Sequence, residues 1–196
     1  GEGTASLGED ASQGCAQRQH VTLPQTLQAI GSWAFQGCAA LEELTLPQGL
    51  KELGRGCFGG CVQLRRMEIP EGVTKLYWQL FQNCSSLTQV VIPEGVTELG
   101  GELFIGCTSL TKLAIPASVR EIDGRAFWGC PKLKLSFLGA PQVKQSAAGD
   151  GQNFFVEHGV LMEQNGTLTA LLQAPAGAYT VPDGITRIGP YAFARQ

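Results

Sequence analysis

The sequence predicts an α/β solenoid, a right-handed stack of 23-residue coils with a parallel sheet along its concave side, and three columns of residues predict it. Cys15, Cys38, Cys61, Cys84, Cys107 and Cys130 form one column. Phe35, Phe58, Phe81, Phe104 and Phe127 form a second, and Leu41, Leu64, Leu87, Leu110 and Leu133 a third. Chance does not hold that many columns in phase. A repeat of roughly 20–29 residues with leucine-type positions is the signature of a leucine-rich coil, built from one strand and one convex-side turn.

The strand comes first in each coil. Leu44 and Leu46 alternate with Glu43 and Thr45, the period-two pattern of a strand with one buried face. Met67 and Ile69, Val90 and Ile92, and Leu113 and Ile115 are their counterparts. Stacked in parallel about 4.8 Å apart, these strands are expected to form one continuous sheet. Pro47, Pro70, Pro93 and Pro116 close them, because a residue without an N–H ends the ladder. Leu50 with Leu53, and the equivalent pairs Val73 with Leu76, Val96 with Leu99 and Val119 with Ile122, carry the chain across the coil with both side chains inward. The convex turn follows. Phe35 and Cys38 are three apart, so one helical or 3₁₀ turn puts both on the core side, phenylalanine as the large filler and cysteine as the compact one. Glycine precedes most of these turns, yet Tyr77 and Asp123 share the column of Gly54, which argues that the column does not demand glycine.

The repeat block runs over residues 15–138, preceded by residues 1–14, which are small, polar and aperiodic and read as a linker or cloning remnant. After Leu133 the phase is lost. Leu135 and Phe137 stand where exposed residues belong and Ser136 at a core position; a one-residue slip exchanges the faces, and both registers stay open. Residues 139–178 read as an insert in which Asn165-Gly166, between apolar stretches, signals a β-hairpin. The repeat resumes over 179–196 with Ile185, Ile188, Gly189, Ala192 and Phe193, ending without its cysteine position or a polar cap. Solenoids normally seal their ends. The protein is therefore expected to continue or to be covered by another chain, with end-to-end self-association as one form of cover.

Composition narrows the function. At 43% hydrophobic and 16% charged the chain is a folded one, and its net charge of −3 with scattered basic residues argues against nucleic acid as a partner. No apolar run approaches the ~18 residues of a membrane span. Seven cysteines invite a disulfide or metal reading. Ladder side chains, however, point the same way rather than at each other, and they lie along an axis rather than around a point, so reduced thiols and no metal or other cofactor are expected. Cys57 and Cys61 are close but lack further ligands. His20 on the concave face and His158 in the insert stand apart, which leaves no catalytic residue to assign.

LPQGLKELGRGCFGGCVQL, IPEGVTELGGELFIGCTSL and IPASVREIDGRAFWGCPKL closely resemble the BspA-like, or Treponema pallidum type, leucine-rich repeats. The segment FFVEHGVLMEQNGTLTALLQAPAGAYTVPDGITRIGPYAF is similar to the hairpin-bearing insert of that family. The resemblance covers about residues 15–196 and departs at Cys57, Leu80 and Leu103, where the family favours alanine. It implies a cell-surface or secreted bacterial protein of adhesin-like character, without a catalytic motif.

Binding is expected on the exposed strand positions. One column runs His20, Glu43, Arg66, Gln89, Lys112 and its neighbour Thr22, Thr45, Glu68, Val91, Ala114. The candidate partner-binding residues are His20, Glu43, Arg66, Glu68, Gln89, Val91, Lys112 and Ala114. The face grows apolar toward Val91 and Ala114, consistent with a partner patch or with cover by the insert hairpin. Trp33, Tyr77, Trp78 and Trp128 on the convex side are read as partly buried packing, with interface anchoring as the other reading. The function expected is a noncatalytic interaction module for a protein or glycan, such as a host-surface or matrix ligand. A recognition arm of a larger enzyme and a passive spacer are the alternatives.

Overall fold

The computed structural model describes residues 5–138, 154–157, 160–163, 167–171, 185–189 and 192. The strands in chain order are β1 (Ala5–Leu7), β2 (Leu27–Ile30), β3 (Glu52–Leu53), β4 (Arg66–Glu68), β5 (Lys75–Leu76), β6 (Gln89–Val91), β7 (Glu98–Leu99), β8 (Lys112–Ile115), β9 (Glu121–Ile122) and β10 (Lys134–Phe137). The insert and the returning repeat supply β11 (Phe154–Glu157), β12 (Val160–Glu163), β13 (Thr167–Leu171) and β14 (Arg187–Ile188).

The leucine-rich solenoid is as expected, but its coils carry two parallel ladders rather than one. In the first, the central residues of β4 and β6 are buried and their neighbours exposed. Arg66, Met67 and Glu68 pair with Gln89, Val90 and Val91, and β8 pairs with β10. This ladder is not one continuous sheet. Among the described residues no pairing joins β6 to β8. The second ladder uses the crossing segments, with Leu7, Ile30 and Leu53 in one register and Leu76, Leu99 and Ile122 in another.

The convex side contains no helix among the described residues; it is a succession of tight turns. One three-residue bond recurs in each, as from Cys38 N to Phe35 O (3.1 Å) and Cys84 N to Phe81 O (3.1 Å), and it holds phenylalanine and cysteine inward together. A second set runs between coils: Phe35 N donates to Cys57 O (2.8 Å), Phe58 N to Leu80 O (3.1 Å) and Phe81 N to Leu103 O (3.0 Å). The residue before each ladder cysteine adopts left-handed backbone. Gly14, Gly37, Gly60, Gly106 and Gly129 fill that position, and Asn83, a residue type that tolerates the region, replaces glycine once.

Two sequence expectations are corrected. Residues 5–14 are not a linker: β1 pairs with β2, Leu7 packs on the core, and Ser12 N donates to Ala34 O (2.8 Å) as the equivalent residues of later coils do. The column of Gly54 is corrected only in part: at Gly54 itself a Cβ would collide with the backbone of Ser32 and Gly31, whereas Tyr77 and Asp123 carry side chains in the same column. The open register is settled as well. Leu135 lies opposite Leu113 and Ser136 opposite Ala114, one residue short of the repeat, so the leucine reaches the core and the serine stays exposed.

Phenylalanines fill the interior as a column of near-parallel rings, 5.8 Å apart from Phe35 to Phe58, 5.7 Å to Phe81, 5.5 Å to Phe104 and 6.1 Å to Phe127. Beyond the repeats, β11 and β12 are antiparallel, as are β12 and β13, while β13 pairs in parallel with β14 and so joins the insert to the returning coil. Leu161 and Met162 are buried. Asn165-Gly166, His158 and Phe193 lie outside the described residues.

Candidate functional site

The first ladder positions the strand-face candidates. Its register sets Arg66 beside Gln89 and Glu68 beside Val91, while an isolated bridge pairs His20 with Glu43. Burial of Met67 and Val90 fixes the inward face, and Arg66, Glu68, Gln89 and Val91 therefore point outward. Glu43, Arg66, Glu68, Gln89 and Val91 line one groove of about 350 Å³, joined by Gln48. Gln89, Val91, Lys112 and Ala114 line a second of about 540 Å³, with Ser136 and Leu138. The two adjoin at Gln89 and Val91. His20 lines neither. Seven of the eight candidates are thus brought together, with carboxylates and a guanidinium toward the N-terminal coils and Val91 and Ala114 beside Lys112 beyond. Val91 is 44% exposed and Leu138 47%, so no described residue covers this end of the face.

The sequence reading missed Gln48, which the bend after Pro47 delivers to the groove, and Leu138, which depends on the shortened register. On the turn side Trp78 is 37% exposed and Tyr77 39%, and the guanidiniums of Arg55 and Arg125 lie over the Trp78 ring.

The thiols serve packing. All seven cysteines are free, and five donate S–H to a carbonyl of the preceding coil: Cys61 to Phe35 O (3.2 Å), Cys84 to Phe58 O (3.1 Å), Cys107 to Phe81 O (3.1 Å), Cys130 to Phe104 O (3.0 Å) and Cys38 to Ser12 O (3.2 Å). A small apolar residue with one weak donor suits a buried carbonyl with a spare lone pair. Burial holds Cys57, Cys84 and Cys107 well above the ordinary thiol range and pushes Cys130 up to about 12. Such thiols are poor nucleophiles. Among the described residues no group of three or more His, Cys, Asp or Glu could hold a metal ion, and no helix is long and apolar enough to cross a membrane.

Over residues 5–134 the sequence matches the BspA type leucine rich repeat region in 6 copies. The chain belongs to this family. It is similar to the structure of a leucine rich cell surface protein from Faecalibacterium prausnitzii, with a TM-score of 0.77 and 28% identity over 96% of this chain and 49% of that one. It is similar also to the leucine rich repeat protein of T. pallidum (TM-score 0.53, 28% identity, 66% of this chain and 71% of that one). A leucine-rich repeat protein from Bacteroides ovatus aligns with a TM-score of 0.63 and 25% identity over 94% of this chain and 48% of its own. The chain spans about half the length of the first and third of these structures. No curated protein matches the sequence.

Proposed function

We propose that the protein is a noncatalytic interaction module of a cell-surface or secreted bacterial protein, binding a protein or glycan through the strand face. The observation that supports this reading is the pair of adjoining open grooves lined by Glu43, Arg66, Glu68, Gln89, Val91, Lys112 and Ala114. Charged side chains there orient a partner and govern its approach. The apolar surface at Val91 contributes contact area. The likeness to a structure described as a cell surface protein supports the location.

Val91→Asp with Ala114→Asp tests the reading. In a binding screen against matrix proteins and glycans, the variant loses a partner that the parent captures while its melting temperature stays within a few degrees. Lost stability instead assigns these residues to an internal contact, and a parent that captures nothing at micromolar concentration favours a spacer.

A further inference from the structure

We propose a second binding site, on the turn side, that takes the carboxylate of an acidic sugar residue. Arg55, Tyr77 and Trp78 line a shallow, open depression of about 300 Å³ that shares no residue with the strand-face grooves. The Arg55 guanidinium lies 5.6 Å from the centre of the Trp33 ring and 5.5 Å from that of Trp78, so the two indoles hold it in place.

Its charge is nevertheless unanswered. Among the described residues the Arg55 guanidinium has no ion pair and no hydrogen bond. Arg125, the other cation over Trp78, differs in this respect. It is gripped by both oxygens of Asp123 (3.1 and 3.2 Å) and approached by Glu102 at 3.8 Å. A fixed guanidinium with its N–H groups unused matches a carboxylate bidentately.

The lining of the depression favours a sugar over an extended peptide. Exposed Tyr77 and Trp78 offer aromatic surface to the C–H face of a sugar ring. Two bordering carbonyls are already engaged, that of Trp78 by Gly56 N (3.0 Å) and that of Arg55 by Trp33 N (2.9 Å). The volume suits one or two sugar rings.

The test is a tryptophan-fluorescence titration of the whole chain with tetragalacturonate, maltotetraose and hexaglutamate. Tetragalacturonate gives a saturable change and maltotetraose none. Arg55→Lys, which keeps a cation between the indoles but removes the planar fork, and Tyr77→Ala each weaken binding by about tenfold or more, with unchanged melting temperature. Should Arg55→Lys unfold, Tyr77→Ala decides alone. Equal response to maltotetraose overturns the carboxylate pairing, equal Arg55-dependent binding of hexaglutamate makes the ligand an acidic peptide, and no saturation at millimolar tetragalacturonate overturns the site. Strand-face variants such as Val91→Asp leave this titration unchanged, which separates it from the proposal above.

Discussion

Phe81 is the sharpest test of how the coils hold together. Its ring is fully buried and lies between two others, 5.7 Å from Phe58 at an interplanar angle of 12° and 5.5 Å from Phe104 at 6°. Replacing it with leucine keeps most of the volume and removes both ring contacts, each worth about 0.5–1.5 kcal/mol, so the expected loss is about 1–3 kcal/mol. Phe127 has one such contact, at 6.1 Å, and Phe127→Leu is expected to cost about half as much in this respect. Phe81→Ala removes the side chain's bulk as well and should cost about 3–5 kcal/mol, a large part of the roughly 5–15 kcal/mol by which domains are stable. Urea denaturation followed by far-ultraviolet circular dichroism and by tryptophan fluorescence measures all three. Coincident curves with equal slopes validate the comparison, whereas a lower slope means that the solenoid has parted at the lesion and one side melts alone. The reasoning is refuted if Phe81→Leu costs no more than Phe127→Leu.

Thiol accessibility should divide the cysteines sharply: a disulfide reagent at pH 8 labels half-exposed Cys15 at once, and the six buried thiols react only as the chain unfolds. Rapid labelling of more than one thiol in the native protein contradicts the packing role. Stability should also fall in alkali. Burial raises the folded thiols above their unfolded value, so between about pH 8.5 and the folded values the native chain keeps protons that the unfolded chain loses; this stabilisation is complete below about pH 8.5 and declines by about 1.4 kcal/mol per pH unit for each such thiol. For Cys130 the decline ends near a folded value of about 12. Urea midpoints at pH 8 and pH 10 measure it, and equal midpoints would sink the argument. Gly56→Ala should destabilise by about 1–2 kcal/mol or more, because the left-handed backbone disfavours a side chain and the new Cβ falls inside the Trp33 ring. A changed near-ultraviolet dichroism spectrum would accompany the loss; an unchanged melt and spectrum would contradict it.

The coil was legible because its apolar columns constrain one another: phenylalanine, cysteine and leucine at fixed offsets leave little freedom in where the core lies. The second ladder was not, since segments such as Lys75-Leu76 are too short for a period to show. The first coil was hidden by one substitution. Leu7-Gly8, Ala11 and Gly14-Cys15 repeat Ile30-Gly31, Ala34 and Gly37-Cys38, but Ser12 stands in the phenylalanine column. At the strand face, period-two alternation identified the outward residues, while Gln48 and Leu138 reach the grooves through a bend and a shortened register that the columns do not encode. The meeting of Arg55 with Trp33 and Trp78 was hidden for a similar reason: the two indoles occupy different columns, and side-chain direction brings all three together.

The thiol bonds bear on how such a chain changes length. Cys61, Cys84, Cys107 and Cys130 each reach back 26 residues, to the phenylalanine carbonyl of the coil before. Excising one whole coil between two equivalent points, such as Cys61 and Cys84, therefore rejoins a donor to an acceptor of the same kind, and duplicating one does likewise. A cut of any other size breaks the column at the seam. Recombination between misaligned copies of the repeat thus adds or removes reach in whole steps, each with its own strip of outward-facing residues free to diverge.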